Sequence, residues 1–303
     1  GKNPEWRDLL GAFSRKAERP RVIVASVQTA ATEDFNGRFR QGQHLFLVAD
    51  EVHTLGSPGR RSILGWETGP RLGLSATPRR AGDPEGTRAI FDYFEGVVPP
   101  PFTLRDAIEA ERLCPYYYAV HQVVLTDEEQ ARWNELTSRI RQIYARAHAG
   151  DSPVEDVETK VKFLLLERAR IAKRAEAKVE LAGDVLWREF EKGQRWIVYC
   201  DSQPQLGRVL DTIRRRGLPA MEYHSAMMGD RAAALEHFQA LGGIVVSIRC
   251  LDEGVDIPAV DHALILASSK NPREFIQRRG RVLRNHPGKS LAWVHDVIVL
   301  PKP

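Results

Sequence analysis

The stretch Trp196-Ile197-Val198-Tyr199-Cys200 (WIVYC) decides the fold class of this chain. It is a short and almost wholly apolar run, which is typical of a strand buried on both faces of a parallel sheet. Comparable runs follow it, separated by stretches that are compatible with helices. They are 219–223, Gly243 to Ile248, His262 to Ala267 and Leu291 to Val294. This alternation predicts an α/β fold in which helices cover a mostly parallel sheet.

An earlier α/β series precedes this one. Its predicted strands are Arg21 to Val27 (RVIVASV), His44 to Ala49 (HLFLVA) and Arg71 to Ser75 (RLGLS). Between the two series, the run of prolines at 99–101 fits neither a helix interior nor a central strand. Thr126 and Glu129 form the capping box of a helix that follows this break. We therefore predict an α/β lobe at 1–102, a helical insertion at 103–175 and a second α/β lobe at 176–303.

The composition excludes several classes of protein. The 303 residues contain three cysteines and no Cys-x-x-Cys pair, which argues against both a disulfide framework and a Cys-rich zinc site. The net charge of +4 permits binding to a polyanion without requiring it. No stretch reaches the roughly 18 apolar residues of a membrane span, and the first residues lack the apolar core of a signal peptide. We expect no membrane partner and a cytoplasmic location, associated with the nucleoid if the organism is a prokaryote.

Two carboxylates, Asp50 and Glu51, directly follow the apolar run that ends at Ala49, and His53 comes two residues later. Ligands of α/β proteins bind at the carboxyl ends of parallel strands, where these side chains are predicted to lie. One carboxylate can hold Mg²⁺ against phosphate oxygens, and the next can orient or deprotonate a water for in-line attack. The alternative is an ordinary strand end with acidic residues, and the pair alone leaves both interpretations open.

Two further strands end in polar residues. Ser75 and Thr77 follow the strand at Arg71, and alone they fit a plain turn. Gly254 and Asp256 come after the strand that ends near Ile248, and the glycine would let the backbone approach a ligand closely.

A helix predicted over 271–284 carries Gln277, Arg281 and Arg284 at i, i+4 and i+7, which places them on one stripe. Two guanidinium groups on one face can neutralise charge on a phosphoryl group during its transfer. The alternative is a solvated basic face or a simple phosphate-contact patch.

Taken in order, these stretches resemble the motifs of superfamily 2 helicases. Asp50 to His53 (DEVH) is similar to motif II, Ser75 to Thr77 (SAT) to motif III, Ala25 to Thr29 to motif Ib, Ile197 to Cys200 to motif IV, Gly254 to Pro258 to motif V, and Gln277 to Arg284 to motif VI. Within the superfamily, the nearest resemblance is to XPB-like and type III restriction-type DNA helicases, which share the Leu-Thr-x-Glu-Glu pattern at Leu125 to Glu129 with Swi/Snf-type translocases.

The resemblance implies two RecA-like lobes that close on ATP and Mg²⁺, and it assigns roles to individual residues. Asp50 would contact the metal and the nucleotide, and Glu51 would be the general base. Arg281 and Arg284 would act on the γ-phosphate with Gln277 nearby, while Gly254 and Asp256 would lie close to the nucleotide. His53, Ser75 and Thr77 would couple hydrolysis to movement. For His53, a structural hydrogen bond is an equal alternative.

The same resemblance implies that nucleic acid crosses both lobes. The implied contacts are Ser26, Gln28 and Thr29 in the first lobe and Tyr199, His224 and Arg249, with Asp201, in the second. The predicted insertion adds an independent indication, since Lys160 to Lys178 contains seven Lys or Arg residues against two Glu. Concentrated positive charge favours contact with phosphates, although a solvated helix face is the alternative.

One part of the family pattern is missing. The chain contains no Gly-x-x-x-x-Gly-Lys-Ser/Thr loop. The stretch Gly288-Lys289-Ser290 is not such a loop, because Leu stands at position 283, where the first glycine would be required, and because the stretch precedes a strand instead of a helix. We therefore expect a truncated or partly recorded chain, with a degenerate lobe as the alternative, and ATP hydrolysis by the intact protein rather than by these residues alone.

The predicted function is an ATP-dependent helicase or double-strand translocase, with DNA favoured over RNA. Two alternatives remain open: a non-hydrolysing nucleic-acid scaffold that acts with a partner protein, and the translocase subunit of a restriction-type or defence-type nuclease system.

Overall fold

Parallel pairing of short strands is common to both parts of the chain. The computed structural model describes residues 5–148, 154–227, 229–248, 257, 259–268 and 280–302. The chain divides into two compact units, Gly1–Phe102 and Thr103–Pro303, which we call unit 1 and unit 2. The α/β fold class predicted from the sequence is confirmed in both.

Unit 2 is built on a six-stranded parallel sheet in the order β3-β8-β7-β4-β6-β5. Its strands are β3 (Tyr116–Val123), β4 (Arg195–Cys200), β5 (Ala220–Tyr223), β6 (Gly243–Ile248), β7 (His262–Ile265) and β8 (Ala292–Val299). Its helices are α5 (Leu104–Glu109), α6 (Asp127–His148), α7 (Val154–Arg174), α8 (Ala177–Glu189), α9 (Gln203–Arg215) and α10 (Arg231–Leu241).

The central strand β4 is buried on both faces, as its apolar run predicts. Trp196, Val198 and Cys200 belong to one hydrophobic cluster, together with side chains of α8 and α9. Ile197 and Tyr199 belong to a second cluster on the other face, which includes a side chain of α10. A fully buried apolar side chain contributes about 1.5–3 kcal/mol, so these two clusters hold the sheet between its helices.

The predicted helical insertion contains a strand that the sequence analysis missed. Residues 116–123 form β3, which pairs in parallel with β8 from Tyr116 opposite Ala292 to Val123 opposite Val299. The predicted insertion at 103–175 therefore contributes a strand to the sheet of unit 2 as well as helices. After β3, the predicted capping box is present: Thr126 N–H donates to Glu129 Oε2 at 3.0 Å, and Glu129 N–H donates to Thr126 Oγ1 at 3.3 Å. Helix α6 begins at this box and packs against α7 through a separate apolar cluster.

Unit 1 contains a two-stranded parallel sheet of β1 (Leu47–Ala49) and β2 (Arg71–Gly73). Helices α1 (Trp6–Phe13), α2 (Val27–Ala30), α3 (Glu33–Arg38) and α4 (Pro84–Phe94) and two 3₁₀ segments, Val52–Gly56 and Pro58–Gly65, complete its described elements. Its core includes Phe35, Leu55 and Ile90. The sheet is buried on one face only in the described residues, because Val48 and Leu74 are about half exposed.

One strand prediction in unit 1 is wrong. Residues 21–26 are irregular, and 27–30 form α2. Val22 and Val24 expose 80% and 91% of their surface, so this apolar run is not covered by the described part of the unit. An apolar run specifies a strand only when neighbouring strands complete its hydrogen bonds, and none in the described residues pairs with it.

No helix in the described ranges is long and apolar enough to cross a membrane.

Candidate active site

The Asp50-Glu51 pair and the Ser75 stretch meet because their strands are parallel neighbours. β1 and β2 run in register, with Leu47 opposite Arg71 and Ala49 opposite Gly73. The ladder continues past both strands, since Leu74 N–H donates to Ala49 O at 2.8 Å and Val52 N–H donates to Leu74 O at 3.0 Å. Residues that follow two adjacent parallel strands share one edge of the sheet, which is where α/β proteins bind their ligands.

Gly73 makes this close approach possible. A Cβ atom at position 73 would lie 2.9 Å from Cγ2 of Val52, well inside van der Waals contact. The absence of a side chain lets the end of β2 lie against the residue that follows Glu51.

Glu51 has a strained backbone. Its φ of 46° and ψ of 48° lie in the left-handed region, which costs about 1–2 kcal/mol for a residue with a Cβ. Asp50 Oδ1 accepts a hydrogen bond from Glu51 N–H at 2.9 Å and so supports this turn. The turn ends the strand abruptly and starts the 3₁₀ segment that carries His53. Strain of this kind collects at functional sites, where the surrounding structure maintains it.

His53 joins the two stretches. Its Nδ1 atom lies 3.1 Å from Ser75 Oγ and 3.2 Å from Glu51 Oε2. The imidazole is buried, with 6% of its side chain exposed, whereas 45% of the Glu51 side chain is exposed. Ser75 Oγ also accepts a hydrogen bond from Thr77 N–H at 3.2 Å. The structure therefore brings Glu51, His53, Ser75 and Thr77 into one contact chain.

Arg80 is part of this site, although no sequence motif identified it. Its Nη1 donates to the His53 carbonyl at 2.5 Å, and its Nε donates to Asp83 Oδ2 at 2.7 Å. Asp83 also accepts from Gly86 N–H at 2.7 Å and so caps α4. The Gly86 N–H and the Arg80 guanidinium hold the pKa of Asp83 below its usual range. Arg80 thus anchors the His53 backbone to the first turn of α4, and the available indication was a basic pair directly after the SATP stretch.

Elsewhere in unit 1, Ser26 and Thr29 have a local structural role. Ser26 Oγ accepts from Thr29 N–H at 3.1 Å and caps the short helix α2. Gln28 lies within that helix. Their contact with nucleic acid remains a prediction.

In unit 2, Arg281 and Arg284 lie on a segment that is tied to the start of the unit. Cys114 N–H donates to the Leu283 carbonyl at 2.8 Å. Lys289 Nζ donates to the carbonyl of Arg284 at 2.9 Å and also to that of Val282. The Gly288-Lys289 stretch therefore caps the end of this segment, which explains its lysine without a phosphate loop.

Two of the predicted nucleic-acid contacts are placed away from the surface. Tyr199 is fully buried, because every second residue of β4 faces the cluster beneath α10. His224 has only 10% of its side chain exposed. It lies in a turn, where Nδ1 accepts from Ala226 N–H at 3.2 Å and Nε2 lies 3.1 Å from Glu222 Oε2. The surface role predicted for both residues does not fit these positions.

Four predicted site residues lie outside the described residues. They are Arg249, Gly254, Asp256 and Gln277.

Comparisons with known proteins concern both units. Residues 177–286 match the family described as helicase conserved C-terminal domain. The chain is 25% identical over 300 residues to DNA 3'-5' translocase XPB2 of Sulfurisphaera tokodaii, covering 93% of this chain and 64% of that protein. It is 26% identical over 185 residues to UvrABC system protein B of Streptococcus suis, covering 56% of this chain and 28% of that protein. The chain thus spans less than two thirds of these relatives.

A solved structure shares the fold. The ATP-dependent Type ISP restriction-modification enzyme LlaBIII bound to DNA superposes with a TM-score of 0.56 at 16% identity, covering 91% of this chain and 19% of that one. The parallel sheets described above are consistent with RecA-like lobes. The match to a helicase C-terminal domain in unit 2 and the XPB-type relative aligned with 93% of the chain support a superfamily 2 helicase that is similar to XPB.

Proposed function

We propose that the protein containing this chain couples ATP hydrolysis to movement on DNA, as a double-strand translocase or helicase. One observation supports this most directly: His53 Nδ1 lies within 3.2 Å of both Glu51 Oε2 and Ser75 Oγ. A carboxylate for activating water is thereby linked to a second motif at the same sheet edge. A plain acidic strand end needs neither the strained backbone of Glu51 nor a buried histidine between the two stretches.

Glu51 is the proposed general base. Its side chain is partly exposed at the sheet edge, so a water can reach its carboxylate, while His53 holds the other side of that group. Asp50 is an exposed hard oxygen ligand at the same edge and fits Mg²⁺, a cation that prefers a few carboxylates together with phosphate oxygens. When bound, Mg²⁺ supplies charge neutralisation on the phosphates, and the chain supplies the geometry around it.

Ser75 and Thr77 are the proposed coupling residues. A shift of the Glu51 side chain would change the environment of His53 Nδ1 and then that of Ser75, which also binds the Thr77 backbone. The Arg80 contact to the His53 carbonyl would pass the same shift to α4. A chain of hydrogen bonds with two arrangements is the physical form that such coupling takes.

Arg281 and Arg284 are proposed to stabilise charge on the γ-phosphate, on the strength of the motif VI resemblance. The hydrogen bonds from Cys114 and Lys289 to backbone carbonyls of this segment favour a fixed backbone where both arginines are attached. The proposed roles of Gln277, Gly254 and Asp256 rest on the sequence resemblance alone.

DNA is the proposed partner. The XPB2 relative is named as a DNA translocase. Residues 160–174 of α7 contain six Lys or Arg against one Glu, and such concentrated positive charge favours contact with phosphates. Contacts from Ser26, Gln28 and Thr29 belong to the same proposal.

A triplex-displacement assay on the full-length protein tests this function. Wild type is expected to displace a third strand from duplex DNA with ATP and to fail with a non-hydrolysable ATP analogue. Tight DNA binding with neither ATP turnover nor displacement would support the scaffold alternative and contradict the proposal.

A further inference from the structure

One lysine of unit 2 is buried at the start of α8. Lys178 exposes 1% of its surface, which excludes the phosphate contact that the basic stretch from Lys160 to Lys178 indicates. Burial lowers the pKa of Lys178 to about 8, while the carboxylates of Asp296 and Asp201 oppose this shift. The group is therefore still mainly an ammonium at neutral pH. A buried charge is costly unless it has a specific partner, so its contacts indicate what it does.

The ammonium group binds the backbone just beyond β7. Nζ of Lys178 donates to the Leu266 carbonyl at 2.5 Å, and β7 ends at Ile265. The amides of Leu266 and Ala267 donate to the Tyr199 carbonyl at 3.0 and 3.1 Å. Lys178 therefore completes the hydrogen bonding of Leu266, whose side chain is fully buried.

Asp296 holds the next polar residue of the same stretch. It lies on β8 with 5% of its surface exposed, and its two carboxylate oxygens accept from different elements. Ser268 Oγ donates to Oδ1, and the Tyr118 hydroxyl on β3 donates to Oδ2 at 2.6 Å. Lys178 and Asp296 thus attach residues 266–268 to α8 and β8 through side chains of opposite charge.

This stretch leads into the segment that carries Arg281 and Arg284. In the sequence, residues 269–279 separate Ser268 from that segment, and they lie outside the described residues. The far end of the segment is held in a similar way, since Lys289 Nζ donates to the carbonyl of Arg284 at 2.9 Å. A lysine ammonium group therefore binds backbone carbonyls both before and after Arg281.

We propose that Lys178 is a positioning residue for Arg281 and Arg284: with Asp296, it fixes the stretch 266–268, from which the arginine segment continues, so that both guanidinium groups keep their place for the γ-phosphate. This inference rests on the proposed ATP hydrolysis and adds a residue that no motif contains. A methionine would fill the volume of Lys178 without the cost of burying a charge, so packing alone does not require an ammonium. Catalytic groups depend on such support, because a displacement of about 1 Å can cost about 100-fold in rate.

The experiment compares Lys178→Met with wild type in the full-length protein. The change keeps the length and the apolar part of the side chain and removes the ammonium. Steady-state ATP turnover should show kcat reduced at least about tenfold, the worth of one hydrogen bond from a charged donor. The KM for ATP should stay within about twofold of wild type, because the lysine does not touch the nucleotide. The exposed Lys192→Met is the matched control and should match wild type in both constants.

Hydrogen–deuterium exchange provides a readout that needs no turnover. Amides in peptides covering 266–268 and 280–285 should exchange about tenfold faster in Lys178→Met, because the hydrogen bond to the Leu266 carbonyl is lost. Amides of β4 and β6 should exchange as in wild type. Faster local exchange in a protein whose wild type has no turnover would sustain the positioning role and remove the proposed motor function. Wild-type turnover with unchanged kcat and unchanged exchange in the variant would overturn the positioning role and leave that function standing.

A charge-balanced variant separates positioning from stability. Removal of the ammonium alone leaves the buried Asp296 carboxylate less compensated, which can destabilise unit 2 as a whole. The double variant Lys178→Met, Asp296→Asn removes both charges, and its free energy of unfolding in urea should lie closer to that of wild type. Low kcat and fast exchange at 266–268 should persist in this double variant. Recovery of kcat and exchange together with stability would overturn the proposal, as would faster exchange spread evenly over β4 and β6 in both variants, because Lys178 would then serve stability alone.

Discussion

The Nδ1 atom of His53 lies 3.1 Å from the Oγ of Ser75, although the two residues are 22 positions apart in the sequence. The contact exists because β1 and β2 are adjacent and parallel, so the residues that follow them meet at one edge. Glu51 shares the same histidine atom at 3.2 Å. The proposed base and the proposed coupling segment are therefore one structural unit, and substitutions within it should have separable effects.

Replacing Ser75 with Ala should uncouple movement from hydrolysis. The change removes the contact to His53 and the acceptor for Thr77 N–H while leaving Glu51 in place. We expect ATP turnover close to wild type and third-strand displacement per ATP reduced about fivefold, the equivalent of one hydrogen bond of about 1 kcal/mol. The exposed Ser62→Ala is the control. Equal loss of turnover and displacement would show that Ser75 serves hydrolysis itself.

Replacing Gly73 with Ala should destabilise unit 1. The new Cβ would lie 2.9 Å from Val52 Cγ2, and displacing this side chain should cost about 1–3 kcal/mol. Gly37→Ala is the matched control, because nothing lies within 4 Å of its Cβ position and it sits inside α3. That control should be neutral or gain about 0.5–1 kcal/mol. Urea denaturation measures the free energy of unfolding of both variants. Equal values would contradict a steric contact between a side chain at position 73 and Val52.

Acid should destabilise unit 2 through His295. Burial, with His121 and His262 close by, lowers the pKa of His295 to about 4. Because the folded pKa lies below the unfolded value, the stabilising effect is complete above about pH 6.5 and declines toward pH 4. Between pH 7.5 and pH 5, protonation of this residue in the unfolded chain should lower the free energy of unfolding by about 2 kcal/mol. Urea denaturation of wild type and His295→Gln at both pH values measures this pH dependence of the free energy of unfolding. The same pH dependence in both proteins would contradict the role of His295.

The strands of unit 2 could be predicted because their apolar runs are nearly continuous. The strands at 195–200 and 243–248 could be predicted from their own residues, because a nearly continuous apolar run is typical of a strand that is covered on both faces. The run at 21–27 has the same composition but no described partner strand. β3 was missed for a different reason, because His121 and Gln122 interrupt its apolar run and its partner strand β8 is distant in the sequence.

Part of the candidate site could also be predicted from the sequence, and part of it could not. The sequence predicts that Glu51 and Ser75 each follow a strand, and the pairing of β1 with β2 brings the two residues together. The left-handed backbone of Glu51 and the contact of Arg80 with the His53 carbonyl depend on tertiary contacts that no local pattern encodes. Burial of Tyr199 follows from the continuous apolar run of β4, which is covered on both faces.

The most direct measurement is DNA-stimulated ATP turnover of Glu51→Gln in the full-length protein, together with ATP affinity. The control is Glu85→Gln, the same chemical change at a carboxylate that is 81% exposed in the same unit. Loss of a general base should reduce turnover at least about 100-fold with ATP affinity retained, while the control stays near wild type. Turnover of Glu51→Gln within a few-fold of wild type would contradict the assignment of Glu51 as the general base.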